Sequence, residues 1–372
     1  MLKVSRLRSR PRQFHRLVGL QVEEFDVLLE AVRLAYPQQQ EARLRARPRL
    51  RDVGAGRPLV LSLEDRLLST LLYYRLHLTG FLLSCLFELD ASNLWRERNW
   101  RMVPLLQEVL PTPMQDHFLS VLEDPLEEEL QGRTSQTCAR DLQTKGDKGD
   151  KTPKISKPRK RIGTLKELFE AYPELRDVCV DATEQQVPTP KNKRQNRQFY
   201  SGKSHCHTIK TQLTTAGRLV LHLFGGTPGN VADRQVLKAS GVIRAIASAA
   251  SPHKRKVQQG KRPALVEPRP RRVRLDRGYS GLDKLYPDLP GVQLLCALKG
   301  TSRSTVTALG KDWNQVMVAR GRIQIEQNIG HLKNWRVLSG LYRARVESHP
   351  QTMAVVAGLH NFRILGQLHW AK

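Results

Sequence analysis

A carboxylate closes a short apolar strand in Asp177-Val178-Cys179-Val180-Asp181, and two later acids stand in equally marked settings. One is Asp276 in Val273-Arg274-Leu275-Asp276-Arg277-Gly278-Tyr279, and the other is Glu326 in Arg322-Ile323-Gln324-Ile325-Glu326. Clustered carboxylates suit hard divalent cations, and a pair of such ions activates a water or a 3′-hydroxyl on one side of a phosphodiester while stabilising the leaving oxygen on the other. Each acid alone has a plainer account. An Asp at a strand end commonly caps a turn, and a Glu on a basic helix commonly pairs with a surface cation. The background charge sharpens the reading, because 62 Lys and Arg stand against 35 Asp and Glu and leave a formal net charge of +27. A polyanionic partner follows, since phosphate binding by such an excess releases condensed counterions.

The elements that must position these acids divide the chain. Its 372 residues, 40% of them hydrophobic, can bury a substantial core in two or three domains. Five dispersed cysteines give neither a disulfide framework nor a zinc ribbon. His205-Cys206-His207 is expected to be a strand entering the core, because neighbouring strand residues point to opposite faces. No secretory signal is read at Met1–Arg12, and the apolar run Leu67–Leu89 is interrupted by Arg75 and His77, so no membrane is expected and a soluble, reducing compartment is.

Helical periodicity runs from Gly19 to Ala35, with Phe25, Leu28, Leu29 and Val32 on the apolar side. A helix starting at Ser62-Leu63-Glu64-Asp65, a second over Thr79–Phe87, a turn at Glu88–Ser92 and a third segment from Asn93 have the layout of a helix-turn-helix, with Arg96 and Arg98 as DNA contacts. Residues 1–130 are therefore assigned to an all-α DNA-binding region. Residues 131–162, rich in Lys, Gly, Asp, Ser, Thr and Pro, read as a flexible basic linker. Beyond it come a helix over Thr164–Tyr172, the strand Asp177–Asp181 and a hairpin of His207–Thr215 with Arg218–Phe224. The loop Gly225–Asn230 ends the hairpin, and a helix starts at Ala232. Strands at Val273–Leu275 and Val292–Leu298 and one long helix over Asp312–Leu338 complete the order. That order fits an α/β fold of ribonuclease-H-like type for residues 163–372.

Five signatures then appear in sequence. They are Val180-Asp181-Ala182-Thr183-Glu184; Tyr200-Ser201-Gly202-Lys203 with His207-Thr208-Ile209-Lys210; Pro228-Gly229-Asn230-Val231-Ala232-Asp233; Asp276-Arg277-Gly278-Tyr279-Ser280-Gly281; and the helix carrying Arg322, Glu326 and Lys333. Together they resemble a DDE transposase of a bacterial insertion sequence, in the insertion-sequence-five family related to Harbinger-type transposases. The resemblance covers about residues 175–365. It implies Asp181, Asp276 and Glu326 as the catalytic acids holding two Mg²⁺ or Mn²⁺ ions, with Asp233 the rival for the second place. Arg322 and Lys333 would contact DNA beside the metals. Lys191, Lys193, Arg194, Arg197 and Lys203 would track the backbone, Trp335 and Arg336 could stack on an unpaired base although a tryptophan so placed is more often core, and the basic segment Ser251–Arg272 would grip DNA or stay solvated. Ala319 departs from related families, which often carry a tyrosine there. The implied activity is cleavage at terminal inverted repeats and joining of the 3′-hydroxyl ends to double-stranded target DNA by a homodimer or larger synaptic assembly, cytoplasmic and nucleoid-associated. A structure-specific nuclease and a non-cutting DNA-binding derivative are the competing readings.

Overall fold

The computed structural model describes residues 1–45, 59–117, 165–172, 175–250, 270–279, 281–282, 285–287, 289–298, 308–314 and 320–370. The linker assigned to 131–162, Ala319, Ser280 and residues 251–269 of the basic segment lie outside them. The segment's last two residues, Arg271 and Arg272, belong to a strand rather than a loop.

The amino-terminal part is helical: α1 (Val4–Arg8), α2 (Pro11–Val18), α3 (Val22–Arg45), α4 (Leu63–Leu76), α5 (Gly80–Phe87), α6 (Ala91–Glu97) and α7 (Val103–Val109). The apolar residues expected to line α3, namely Phe25, Leu28, Leu29 and Val32, are all buried. Ser62 caps α4 by accepting from the Asp65 amide at 3.2 Å and donating its hydroxyl to the Asp65 carboxylate at 2.9 Å. That exchange satisfies amides which no helical carbonyl can reach. Thr79 caps α5, and Asp90 caps α6 by accepting from the amides of Ser92 and Asn93. The third helix of the motif therefore starts at Ala91, earlier than expected. It continues through a π-helical turn, Arg98–Met102, into α7.

Seven strands follow: β1 (Met114–His117), β2 (Asp177–Gln186), β3 (Tyr200–Ser201), β4 (Cys206–Ala216), β5 (Leu219–Pro228), β6 (Arg271–Leu275) and β7 (Val292–Cys296). They form a sheet in the order β1-β5-β4-β2-β6-β7, with β3 paired to β4 alone. Strand β4 is antiparallel to its two neighbours β2 and β5, whereas β6 runs parallel to both β2 and β7. The expected hairpin is present and longer than expected. Gly225 and Gly226 stay within β5 instead of ending it, and Pro350 packs so closely there that a Cβ on Gly225 would lie 3.1 Å from it.

Helices cover both faces of the sheet. On one, α8 (Leu165–Ala171), α10 (Asp233–Ala239) and α11 (Val242–Ala250) enclose Val178, Val180, Leu237, Ile243, Ile246, Val273 and Tyr279. A short helix, α9 (Lys193–Phe199), lies between β2 and β3, and α12 (Ala308–Trp313) follows β7. The other face receives α13 (Arg320–Lys333), α14 (Arg336–Ser339) and α15 (His349–Trp370), and here the core is continuous with that of α1 to α7. The single long helix expected over Asp312–Leu338 is broken. Its backbone turns extended at Trp335, which is 3% exposed and lies 3.0 Å from where a Cβ on Gly19 would stand. Burying that indole against the helical part outweighs continuing the α-helix, so Trp335 is a core side chain and no base-stacking surface.

Candidate active site

The parallel register of β2 and β6 sets two of the acids side by side. The pairing ends at Cys179 and Arg274; two residues on, Asp181 lies within β2, which continues to Gln186 rather than ending at this acid, and Asp276 directly follows β6. The third acid arrives from α13, which packs across β2 and β6 with Ile325 fully buried and the Asn328 amide donating to the Gly217 carbonyl at 2.9 Å. Arg322 and Glu326 stand one turn apart on the same face of α13.

The guanidinium of Arg322 joins all three acids. One terminal nitrogen lies 3.4 Å from Asp181 Oδ2 and 3.2 Å from Glu326 Oε1, and the other lies 3.0 Å from Asp276 Oδ1. Asp181 is the deepest, its side chain 17% exposed against 39% for Asp276 and 57% for Glu326. Burial pushes its carboxyl above the ordinary range, while the Ala182 amide, which donates to it at 2.8 Å, and Arg322 pull it back. The acids are arranged around this guanidinium, and among the described residues no three acidic, imidazole or thiol side chains form a ready-made metal cluster. The donor set still fits a divalent cation, since carboxylate oxygens from three elements already converge on one positive charge.

Asp233 takes a different place. It opens α10, and its carboxylate accepts from Lys210 Nζ at 2.7 Å. Lys210 is 5% exposed and also faces Glu184 at 3.5 Å, across the β2–β4 register. Glu184 in turn accepts from Ser204 and Thr208 at 3.0 and 2.9 Å. Burial alone would raise its carboxyl, but hydrogen bonds from Ser201, Thr208 and Ser204, with the Lys210 charge, hold it below the ordinary value. This Glu184–Lys210–Asp233 chain was not legible as a unit in the sequence; the cross-strand register that pairs Glu184 with Lys210 is the signal that reveals it. It lies beside the second acid's turn, because a Cβ on Gly278 would stand 3.5 Å from Asp233 Oδ2. Tyr279, fully buried in that turn, has its hydroxyl pushed well up by burial and then by Asp233, Asp181 and Asp276.

The basic residues divide into presented and packed groups. Lys191, Lys193, Arg194, Arg197 and Lys203 are exposed on and around α9, and none forms an ion pair with a described residue. Asn192 caps α9 by accepting from the amides of Arg194 and Gln195. His207, the last of the His205-Cys206-His207 residues and part of β4, contacts Asn196 and Thr189 and so holds this helix against β4. Lys333 ends α13, its amine lowered by burial and raised again by Glu184, so Glu184 is its electrostatic neighbour. In the helix-turn-helix, Arg96 is exposed, whereas Arg98 turns inward with its guanidinium 3.5 Å from the Tyr73 ring centroid. Arg336 is exposed at the start of α14.

Comparison with known proteins agrees with this arrangement. Residues 180–361 match the model of the DDE superfamily endonuclease family, and residues 60–112 match that of the helix-turn-helix of DDE superfamily endonuclease. A probable transposase for insertion sequence element IS702 from Microchaete diplosiphon is 26% identical over 202 residues, covering 54% of this chain and 61% of that relative. The similarity thus spans less than two thirds of the relative's length. No solved structure matches the chain. The two family matches, in the order DNA-binding motif then endonuclease, and the insertion-sequence relative support a DDE transposase of an insertion sequence.

Proposed function

We propose that this chain, a DDE transposase by its matches, binds the terminal inverted repeats of its own insertion sequence, cuts DNA phosphodiesters there and joins the freed 3′-hydroxyl ends to target DNA. The observation that carries the proposal is the convergence of Asp181, Asp276 and Glu326 on one guanidinium, inside the segment that matches the endonuclease family. Three antiparallel strands followed by helices and two parallel strands support a ribonuclease-H-like sheet beneath it.

In this reading the three acids hold two divalent ions, Mg²⁺ or Mn²⁺. When bound, these ions make an attacking oxygen more acidic and neutralise the leaving one. The protein's part is placement. Asp181 stands on β2 and Asp276 directly after its parallel neighbour β6, and Glu326 stands on a helix anchored by Ile325 and Asn328. The exposed bases of α9 and its flanks supply a phosphate track beyond the end of β2, and Arg96 supplies a contact from the helix-turn-helix. Asp233 serves as the acid that orders Lys210 and Glu184 behind the site. Joining two element ends requires at least two copies, so a homodimer or larger synaptic complex belongs to the proposal. The division at residues 131–162 into a DNA-binding region and a catalytic domain also belongs to it.

The test is Mg²⁺-dependent nicking and joining of a labelled duplex carrying the element's own end. Glu326→Gln and Asp276→Ala are expected to lose both products, at least 10³-fold on the scale of losing a metal or charge-stabilising group, while retaining the gel shift. Asp233→Ala is expected to keep measurable cleavage. Cleavage that survives in Asp276→Ala but vanishes in Asp233→Ala would overturn the assignment, and cleavage without joining would leave a nuclease.

A further inference from the structure

Arg322 stands where a metal-binding triad would otherwise hold only mutual repulsion. Three carboxylates meet one guanidinium, which leaves two formal negative charges in excess, so the cluster still attracts a divalent cation. The guanidinium nevertheless fills the point on which the oxygens converge. A cation entering beside it would face a positive charge at contact distance and oxygens whose lone pairs are engaged. Arg322 is also incompletely satisfied, because its Nε is buried without a hydrogen-bond partner among the described residues. Its backbone, by contrast, is held: Ile325 is fully buried and Asn328 is tied to Gly217. Any exchange at the cluster therefore falls on the long side chain, which needs only rotamer changes to leave.

We propose that Arg322 is a displaceable internal counter-ion that makes cation loading depend on DNA. Without DNA its fork holds Asp181, Asp276 and Glu326 together and competes with divalent ions. A DNA phosphate offers that fork a bidentate acceptor outside the cluster, so DNA draws the guanidinium away and the cation takes its place. Linkage makes the effect reciprocal: DNA raises affinity for the cation by the factor by which the cation raises affinity for DNA. The proposal rests on the acid triad being the cation site.

The experiment is Mn²⁺ titration of the full chain, by calorimetry and by the electron paramagnetic resonance signal of free Mn²⁺. Wild type, Arg322→Gln and Asp181→Ala are compared with and without an uncleavable phosphorothioate duplex of the element end, after subtracting Mn²⁺ bound by duplex alone. Without DNA, Arg322→Gln is expected to bind Mn²⁺ about 5-fold or more tightly than wild type, and duplex is expected to tighten binding by a similar factor in wild type but not in the variant. Equal or weaker Mn²⁺ affinity in folded Arg322→Gln, or a wild-type affinity that duplex leaves unchanged, overturns the exchange. The wild-type arm decides alone should Arg322→Gln fail to fold. Undiminished Mn²⁺ binding by Asp181→Ala instead overturns the triad as the cation site, which separates failure of the underlying reading from failure of this one.

Discussion

At the residue scale the two candidates for the second acid keep different company. Asp276 shares a guanidinium with Asp181 and Glu326, whereas Asp233 is held at 2.7 Å by a buried lysine and sits in the first turn of a helix. A carboxylate committed to a lysine that is itself desolvated cannot turn away without leaving that charge to Glu184 at 3.5 Å alone. The Gly229-Asn230-x-x-Asp233 setting, which opens a helix, makes Asp233 the rival in sequence. Its actual partner, Lys210, comes from a strand which only the folded register brings opposite. The same logic identifies a buried histidine with a measurable signature. His349 is 1% exposed and its Nε2 meets Gln185 Oε1 at 2.9 Å, while Gln185 also donates to the carbonyls of Val337 and Gly340. Burial lowers its pKa from 6.5 to about 4. The unfolded chain therefore binds a proton that the folded chain refuses between those values, and stability falls as pH drops from about 6.5 towards 4. The contribution is roughly 3 kcal/mol at most. Replacing His349 by Gln should flatten the pH dependence of the urea midpoint in that window; an unchanged slope would mean that other groups carry it.

At the element scale, close approach explains residues that sequence reading could only recognise as signatures. Gly229 follows β5, where a Cβ would stand 2.2 Å from the Thr208 hydroxyl and 2.8 Å from the Phe199 carbonyl oxygen. Thr208 is also a donor to Glu184, so an added methyl would push on the Glu184–Lys210–Asp233 chain as well as on the backbone of α9. Gly229→Ala is expected to cost about 3 kcal/mol, at the upper end of overpacking effects, read as a lowered denaturant midpoint with unchanged slope. A loss within experimental error would show that the loop yields freely. The amphipathic strands and helices were legible because apolar periodicity reports which face is buried, as in α3 and β2. The break at Trp335 and the run of β5 through Gly225 and Gly226 were not. Both meet what arrives from elsewhere, the space beside Gly19 in one case and Pro350 in the other, and local periodicity carries no record of a distant partner.

At the scale of the whole molecule, the amino-terminal helices and the sheet-bearing part share a core. Strand β1, which follows the helix-turn-helix, adds in parallel to the edge strand β5. Arg75 donates to the Asn334 carbonyl at 2.7 Å, and Asn361 on α15 donates to the Pro111 carbonyl at 3.1 Å. Gln351 donates to Gln107 at 2.9 Å, and a Cβ on Gly358 would lie 2.9 Å from Thr112. The buried cluster containing Phe25, Leu68 and Leu105 runs without interruption into Ile209, Trp335 and Val356. Cutting the chain at the proposed boundary, residue 163, would strip one face of α15 and expose an unpaired β5 edge. Each exposed apolar square ångström weakens the fragment by about 25 cal/mol, and an open edge invites aggregation. The full chain should accordingly lose helix and tertiary packing in one coincident thermal transition, followed by far-ultraviolet circular dichroism and tryptophan fluorescence, and residues 163–372 alone should be insoluble or partly folded. Two separated transitions, or a well-folded fragment with native near-ultraviolet signal, would show that the parts are independent units.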